Sequence, residues 1–429
     1  MADTHRQDTP IPAHRQGAPN LRRRNAATPT VSEPGDVSRS RQSADHRVAH
    51  LIAEIDLAAV HHNIGVLRSY TAPVCRFCVA VKANAYGHGL EVILPALAEA
   101  RVDMIAVATV TEARQARSLG WRLPILLLGT ELSIYHGSLK QDVAEWLVGN
   151  EIRITVLSRD DLDVITKAAD AVQMPAMIHL KLDSGLSRMG VDETSLIDLI
   201  DRASENPRVV IDGLYTHFAS ADEPGCAFAS MQLQRFQRFV ESVRGRFDKM
   251  PTIHTANSAA VVNMPGSHFD MVRPGIGIYG YQTTTNSAPR VDLKPAMRVV
   301  SSIMLVKQVP KGSEVGYGRS YQTKRDSILG VIPIGYADGL DRRLSNTGFV
   351  TVQDRSAPIV GKISMDQTIV DLTEIANQEN IAAGCQAVVI ETNNQAPNSV
   401  ESMARQLDTI PYEIVTSISP RVVRLAQRA

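Results

Sequence analysis

Between about residues 77 and 275, short runs of β-branched residues alternate with longer amphipathic stretches. A β-branched run suits a buried strand, and an amphipathic stretch suits a helix that covers the strand. Helical patterns follow most strands, as at 90–100, 111–119, 159–172 and 227–246. Eight strands with helical crossovers in about 200 residues predict a (β/α)8 barrel, and an open doubly wound sheet is the alternative. The predicted strands are 77–82, 104–109, 124–128, 152–157, 176–182, 209–217, 252–256 and 270–275.

The sequence changes character after about residue 290. Period-two alternation, as at 298–306 and 327–334, is interrupted by glycine and proline turns, and only 399–407 has a helical pattern. We therefore predict a barrel domain at 51–288 and a mainly β domain at 289–429. The segment 53–57 is predicted as a further strand that joins either domain.

Residues 1–50 are rich in proline, serine, arginine and glutamine and have almost no apolar periodicity. Such a segment buries too little surface to offset its ordering entropy, so it is predicted to be a disordered tail. It contains no apolar region that would make a secretory signal, and its acidic residues argue against a transit peptide. We expect a cytoplasmic protein.

Charge and cysteine content exclude several classes of function. Lysine plus arginine and aspartate plus glutamate each total 45, so the balanced charge favours neither nucleic acid nor an anionic membrane surface as a partner. The apolar runs are far shorter than the roughly 20 residues that cross a bilayer. Cys75 and Cys78 form a C-x-x-C that leads into a strand and not a helix, so we interpret both as structural. No set of metal ligands is expected.

Unusual polar residues lie where the predicted barrel strands end. Lys82 ends the first strand, and His217 ends the sixth. Because barrel enzymes form their active sites at the carboxyl ends of the strands, these side chains are expected to converge on one mouth. The others are Arg188 after the fifth strand, Asn257 and Ser258 after the seventh, and Arg273 at the end of the eighth.

The loops after the last two strands are typical of a phosphate site. Ser258 opens a predicted short helix, whose free N–H groups attract anions, and Gly275 allows a close backbone approach. Residues 275–280 also match G-x-G-x-x-G. That fingerprint needs a helix directly after it and an acidic residue about 20 positions on, whereas Asp292 comes too early. We therefore reject a dinucleotide site.

Nine ordered motifs between about residues 54 and 424 resemble those of alanine racemases. A single match of this length is already specific, and the order and spacing of all nine also fit the family. The motifs are AVKANAYGHG at 80–89, LKLDSGLSRMG at 180–190, YTHFA at 215–219, NSAA at 257–260, VRPGIGIYG at 272–280, VGYG at 315–318, IGYADG at 334–339, SMDQ at 364–367 and PYE at 411–413.

The resemblance implies a barrel followed by a β domain, a homodimer, and pyridoxal 5'-phosphate carried as a Schiff base on Lys82. It implies catalytic roles for Lys82 and Tyr317, and substrate contacts for Arg188 and Met365. Lys181, which is often carbamylated in the family, and Asp366 are implied as orienting residues. The remaining implied cofactor contacts are Tyr86, His217, Asn257, Ser258, Arg273, Gly275, Ile276 and Tyr412.

The chemistry of racemisation agrees with these residue types. The reaction removes a proton from one face of the α-carbon and returns one to the other face, which two acid–base groups achieve directly. Lys82 and Tyr317 have ordinary pKa values near 10, so each must be tuned towards neutrality to act as a base. An arginine opposite the cofactor nitrogen, here Arg273, would keep that nitrogen unprotonated and limit transamination.

The sequence leaves other functions open. A broad-specificity or serine racemase would share every feature named above, since pocket width decides between small substrates. Decarboxylases with this two-domain plan fit Tyr317 and the Arg273 motif less well. A non-catalytic pyridoxal-phosphate carrier would lack both the β domain and Tyr317.

Overall fold

The structure is a computed structural model that describes residues 50–223, 225–282 and 291–427. Eight parallel strands close into a barrel in the order of the chain, which confirms the (β/α)8 prediction and excludes the open sheet. Strand β1, Leu51–Asp56, precedes the barrel. The barrel strands are β2 (Arg76–Ala80), β3 (Met104–Val107), β4 (Ile125–Leu127), β5 (Ile152–Val156), β6 (Ala176–Lys181), β7 (Val209–Tyr215), β8 (Thr252–His254) and β9 (Met271–Val272).

Helices connect the barrel strands and cover their outer faces. Their first turns are closed by side-chain caps: Thr109 and Glu112 form a capping box, and Ser158 and Asp192 cap two other helices. These caps satisfy backbone N–H groups that would otherwise lack partners. The helices are Leu57–Ser69, Leu90–Glu99, Val110–Ser118, Gly137–Gly149, Arg159–Val172, Glu193–Ser204, Ala227–Val243 and Ser258–Asn263.

Strand β1 belongs to the sheet built by residues 297–427, called the C-terminal half below. It pairs antiparallel with β10, Met297–Ser302, and parallel with β19, Val423–Gln427. The predicted extra strand therefore joins the C-terminal sheet. The other strands of this part of the chain are β11 (Leu305–Val309), β12 (Glu314–Val315), β13 (Tyr321–Gln322), β14 (Ser327–Ile332), β15 (Phe349–Val352), β16 (Arg355–Pro358), β17 (Thr368–Asp371) and β18 (Gln386–Ile390). The strand order of the C-terminal sheet is β16-β15-β18-β10-β1-β19, and β11, β14 and β17 form a separate sheet.

The C-terminal half contains more helix than its alternating pattern predicts. The predicted helix is present as Val400–Gln406, but Thr373–Ala376 and Pro411–Ser417 are helical too. The expectation of a single helix was wrong because a seven-residue helix with proline in its first turn gives little periodicity. Short 3-10 turns are Glu131–Ile134, Arg244–Arg246, Pro265–Ser267, Ile276–Tyr279, Tyr317–Arg319, Tyr336–Asp338 and Arg342–Leu344.

Helix Pro411–Ser417 packs against the barrel mouth at Gly87. A β-carbon at Gly87 would overlap the carbonyl of Val415, so this contact requires glycine. Arg424 of β19 is buried beside it, and its Nε–H donates to the Gly87 carbonyl at 3.0 Å. The C-terminal half thereby holds the backbone that follows Lys82.

Two sequence expectations concern cysteines and the N-terminal tail. Cys75 and Cys78 are buried and unpaired, and burial raises the pKa of the Cys78 thiol to about 12. This agrees with a structural role. The predicted tail lies outside the described residues, apart from His50. Among the helices that are described, none is long and apolar enough to span a bilayer.

Candidate active site

The mouth of the barrel brings together the cationic residues that the sequence places at strand ends. Lys82 follows β2 and is half-buried, and Lys181 ends β6 and is buried. Burial and the charge of Arg188 lower the pKa of Lys82, against the opposing effect of Glu112. Burial and the charge of Arg273 lower the pKa of Lys181 to about 8. These shifts indicate a site that favours neutral amines.

Lys82 begins a left-handed turn, Lys82–Tyr86. Ala83, Asn84 and Ala85 have φ values of 53°, 53° and 54°. Such angles cost roughly 1–2 kcal/mol for each non-glycine residue, so tertiary contacts must hold the turn. Glu112 accepts a hydrogen bond from the Ala83 N–H at 2.6 Å and another from the Ala108 N–H at 2.7 Å. The carboxylate thus fixes the backbone beside Lys82.

The Arg273 guanidinium lies buried in the floor of the mouth. It donates to Nδ1 of His254 at 2.8 Å and to the carbonyls of Thr216 and Thr255 at 2.8 and 3.0 Å. Nδ1 of His217 lies 3.3 Å from its Nη2. Burial, followed by the Arg273 charge, holds the pKa of His217 well below its usual value, so the imidazole is neutral. Arg273 is the fixed cation of this floor.

Tyr215 packs beneath both cations. Its ring centre lies 5.2 Å from the Arg273 guanidinium carbon and 5.4 Å from Nζ of Lys181, which are distances for cation–π attraction. Its hydroxyl hydrogen-bonds to the hydroxyl of Thr155 at 2.9 Å. An aromatic face therefore helps to hold two buried cations close together.

The loops after β8 and β9 form a small polar cradle. Ser258 Oγ accepts hydrogen bonds from the N–H groups of Gly275 and Gly277 at 2.8 and 3.1 Å. Asn257 caps the helix that Ser258 begins, through the Ala260 N–H at 3.0 Å. Ile276 follows within a single 3-10 turn, Ile276–Tyr279. That turn is not the longer helix of a dinucleotide fingerprint.

Two tyrosines complete the cradle from the opposite side. A β-carbon at Gly275 would lie 2.5 Å from the Tyr86 hydroxyl, so glycine is needed for this close approach. The Tyr86 ring lies 5.8 Å from that of Tyr412. Burial raises the pKa of Tyr86, which therefore keeps its proton and is a hydrogen-bond donor. Hydroxyl donors such as those of Tyr86 and Ser258 suit a phosphate group.

Three predicted site residues lie on the surface of the C-terminal half. Tyr317 is 68% exposed and Met365 is 53% exposed. Within the described residues, the Tyr317 hydroxyl makes no hydrogen bond. Asp366 forms an ion pair with Arg421 at 2.8 Å. One copy of the chain therefore places Lys82 in the barrel mouth and leaves Tyr317 facing outwards.

Sequence reasoning missed several residues that support the site. Glu112 was read only as part of a helix, and His254 and His179 lie inside strands, where a histidine is usually a core residue. Asp212 and Tyr279 were missed too; the Tyr279 hydroxyl donates to the Ala80 carbonyl at 3.1 Å. The sequence signal for Glu112 was the T-x-x-E spacing of a capping box, whereas the others show only a polar residue within an apolar strand or turn.

Comparison with known proteins identifies the family. The model of the alanine racemase N-terminal domain matches residues 55–283, and the model of its C-terminal domain matches residues 296–426. The alanine racemase of Methanococcus maripaludis is 38% identical over 383 residues, which cover 88% of this chain and 99% of the relative.

Solved structures agree. Alanine racemase from a D-cycloserine-producing Streptomyces lavendulae is 33% identical with a TM-score of 0.79, over 89% of this chain and 98% of that one. Alanine racemase from Bartonella henselae, described with covalently bound pyridoxal phosphate, is 29% identical with a TM-score of 0.75, over 88% of this chain and 100% of that one.

The fold and the site define a (β/α)8-barrel enzyme with a mainly β C-terminal domain and a lysine at the end of its first barrel strand. Both parts of the chain match models of one family. The chain belongs to the alanine racemase family and is a racemase.

Proposed function

We propose that this chain interconverts L-alanine and D-alanine with pyridoxal 5'-phosphate bound through Lys82. The observation that carries the proposal is the setting of Lys82 in the mouth of the barrel. Burial and the neighbouring charge of Arg188 lower the pKa of its amine. A neutral amine is the form that bonds covalently to an aldehyde and that accepts a proton.

The residues present fit the cofactor. Ser258, Gly275, Ile276, Tyr86 and Tyr412 would hold the phosphate in the cradle described above. His217 and Asn257 would line the ring, and Arg273 would face the ring nitrogen. When bound, the cofactor withdraws electrons from the α-carbon and stabilises the charge left when its proton departs.

Proton transfer needs one group on each face of the α-carbon. Lys82 removes or returns the proton on one face, and Tyr317 is the group for the other. Arg188 and Met365 would bind the substrate carboxylate, because a guanidinium pairs well with a carboxylate. Lys181, whose pKa is lowered to about 8, loses its proton more readily than an ordinary lysine to give the neutral amine that a carbamate requires, and the carbamate would orient Arg188. Asp366 would orient the loop that carries Met365.

The exposed position of Tyr317 leads us to propose a homodimer with shared sites. A two-fold interface repeats every contact, so Lys82 of one chain and Tyr317 of the other would build both sites. Burial of Tyr317 and Met365 in such an interface would also remove exposed apolar surface.

Mixed dimers test the shared site and the two bases together. Lys82→Ala and Tyr317→Ala variants, each inactive, are unfolded together and refolded in equal amounts. Random pairing makes about half of the dimers mixed, and each mixed dimer regains one of its two sites, so about a quarter of wild-type activity returns. The matched control mixes Lys82→Ala with Arg188→Ala; both residues lie in the same barrel mouth, so activity stays absent.

Refolded wild type must recover activity in parallel. Given that recovery, a Lys82→Ala and Tyr317→Ala mixture that stays inactive would refute the shared site. Recovery in the control mixture would place Arg188 and Lys82 in different sites and would contradict the proposed barrel mouth.

Substrate breadth is a separate question. None of the relatives described above carries the name of a serine or broad-specificity racemase, and the match of residues 296–426 to the C-terminal domain model argues against a carrier. Chiral analysis after separate incubation with L-alanine, L-serine and L-lysine distinguishes the alternatives: we expect rapid D-alanine formation only. We further propose a cytoplasmic location, with neither nucleic acid nor membrane as a partner.

A further inference from the structure

Arg273 is a buried cation that has no direct counter-ion in the part of the chain that the structure describes. Among the described residues, no carboxylate contacts its guanidinium, and its hydrogen bonds go to neutral carbonyl and imidazole groups. A buried charge is costly unless a charge of opposite sign or oriented dipoles compensate it. Groups further from the guanidinium must therefore compensate the charge of Arg273.

A chain of hydrogen bonds links Arg273 to a carboxylate across the barrel interior. Arg273 Nη1 lies 2.8 Å from Nδ1 of His254, and Nε2 of His254 lies 2.9 Å from Nδ1 of His179. Nε2 of His179 lies 3.4 Å from Oδ2 of Asp212, which also pairs with Arg153 at 3.4 Å. Both imidazoles are completely buried.

The chemistry of the two ends fixes the direction of this chain. A guanidinium only donates and a carboxylate only accepts, while a neutral imidazole does one of each. His254 must therefore accept at Nδ1 and donate from Nε2, and His179 must do the same. A proton added to either ring would set two donors against each other.

Burial favours the same protonation state. Burial and the charge of Arg273 hold the pKa of His254 well below its usual value, and burial lowers the pKa of His179 despite its bond to Asp212. Burial opposes ionisation of Asp212, but its bonds to His179 and Arg153 outweigh that effect and lower its pKa. The chain thus runs from a cation through two neutral rings to an anion.

The backbone is shaped for this arrangement. The register between β6 and β7 shifts so that Ile178 pairs with Ile211 and His179 pairs with Gly213, which leaves Asp212 as the extra residue of a bulge. Bulges redirect side chains, often next to active sites. At Gly213 a β-carbon would overlap the His179 ring, so glycine makes room for the imidazole.

We propose that Asp212 and His179 are positioning residues that act through His254 to orient the Arg273 guanidinium and to balance its charge. The proposal rests on the proposed function, in which Arg273 faces the cofactor nitrogen. Asp212 and His179 would touch neither substrate nor cofactor. They would hold the Arg273 guanidinium so that one of its N–H groups faces the cofactor ring, and they would keep both imidazoles in the neutral state.

The test compares Asp212→Ala, Asp212→Asn and the matched control Arg153→Gln in the holoenzyme. The control breaks the ion pair of Asp212 but leaves its bond to His179. Two quantities are measured: the imidazole tautomers by nitrogen NMR of histidine-labelled protein, with signals assigned by His179→Gln and His254→Gln, and kcat and KM for alanine.

In the wild type we expect both rings to be neutral with the proton on Nε2. Asp212→Ala should disturb the His254 signal and lower kcat roughly tenfold, as for other groups that orient a catalytic residue, with KM nearly unchanged. Asp212→Asn, which keeps an acceptor, should lose less, and Arg153→Gln should match wild type.

Protons on Nδ1 in the wild type would overturn the proposal. So would an Asp212→Ala variant that loses thermal stability but keeps the His254 signal and kcat of the control, because that outcome indicates a purely structural role. The tautomers are read independently of turnover. A wild type that does not racemise alanine would therefore refute the proposed function, while the tautomers would still show whether the hydrogen-bonded chain runs in the proposed direction.

Discussion

Asn84 occupies the middle of the strained turn that Lys82 begins, and its replacement tests what holds that turn. Its φ and ψ are 53° and 51°. Its Oδ1 accepts the N–H of Leu90 at 2.8 Å and so satisfies a free donor at the start of helix Leu90–Glu99. Asparagine tolerates left-handed angles better than alanine does, so the residue has two stabilising effects.

Three substitutions separate these effects. Asn84→Asp keeps an acceptor and should be close to wild type. Asn84→Gly loses the cap, which is worth about 1 kcal/mol, but glycine adopts the left-handed angles without strain, which offsets a loss of similar size. The greater flexibility of glycine in the unfolded chain then leaves this variant somewhat less stable than wild type. Asn84→Ala loses the cap and adds roughly 1 kcal/mol of left-handed strain, a total of about 2 kcal/mol.

The assay is differential scanning calorimetry of the four proteins at one protein and cofactor concentration, since bound cofactor and association both shift Tm. The expected order of Tm is wild type and Asn84→Asp, then Asn84→Gly, then Asn84→Ala. We also expect Asn84→Ala to bind pyridoxal phosphate more weakly, because Lys82 shares the turn. An alanine variant as stable as the glycine variant would refute the strain argument.

Three further predictions follow from single contacts. Burial lowers the pKa of His88 from 6.5 to about 4. Between these pH values the unfolded chain binds a proton that the folded chain does not, so the free energy of unfolding falls as the pH drops from 6.5 to 4. Urea unfolding across this pH range should show a smaller fall for His88→Asn than for wild type. Gly65→Ala, at an exposed position of helix Leu57–Ser69 where a β-carbon meets open space, should stabilise the fold by about 0.5–1 kcal/mol. Gly213→Ala should instead destabilise it by about 1–3 kcal/mol, and equal effects of the two substitutions would contradict the packing described. Borohydride reduction should attach the cofactor to Lys82, and a peptide map with the label on Lys181 would end that assignment.

Much of the fold follows from the sequence because its signals are local. Each β-branched run of the barrel became a strand within a few residues of its predicted bounds, as at 104–109 and 152–157. Strand ends then determine where Lys82 and Arg273 lie, since all strands of a parallel barrel point the same way. That geometry, together with the ordered motifs, places the candidate site before any coordinates are known.

Only the tertiary structure decided features that depend on distant partners. The sequence could not assign β1 to a sheet, because its partners, β10 and β19, lie more than 240 and 370 residues further along the chain by the register Ile52↔Val300 and Ile52↔Val423. The sequence could not distinguish His179 of β6 and His254 of β8 from ordinary core histidines either. Their roles depend on the bulge between β6 and β7 and on the hydrogen bond that joins the two rings. Residue type and spacing are properties of the sequence, whereas the neighbour that completes a buried polar group is a property of the fold.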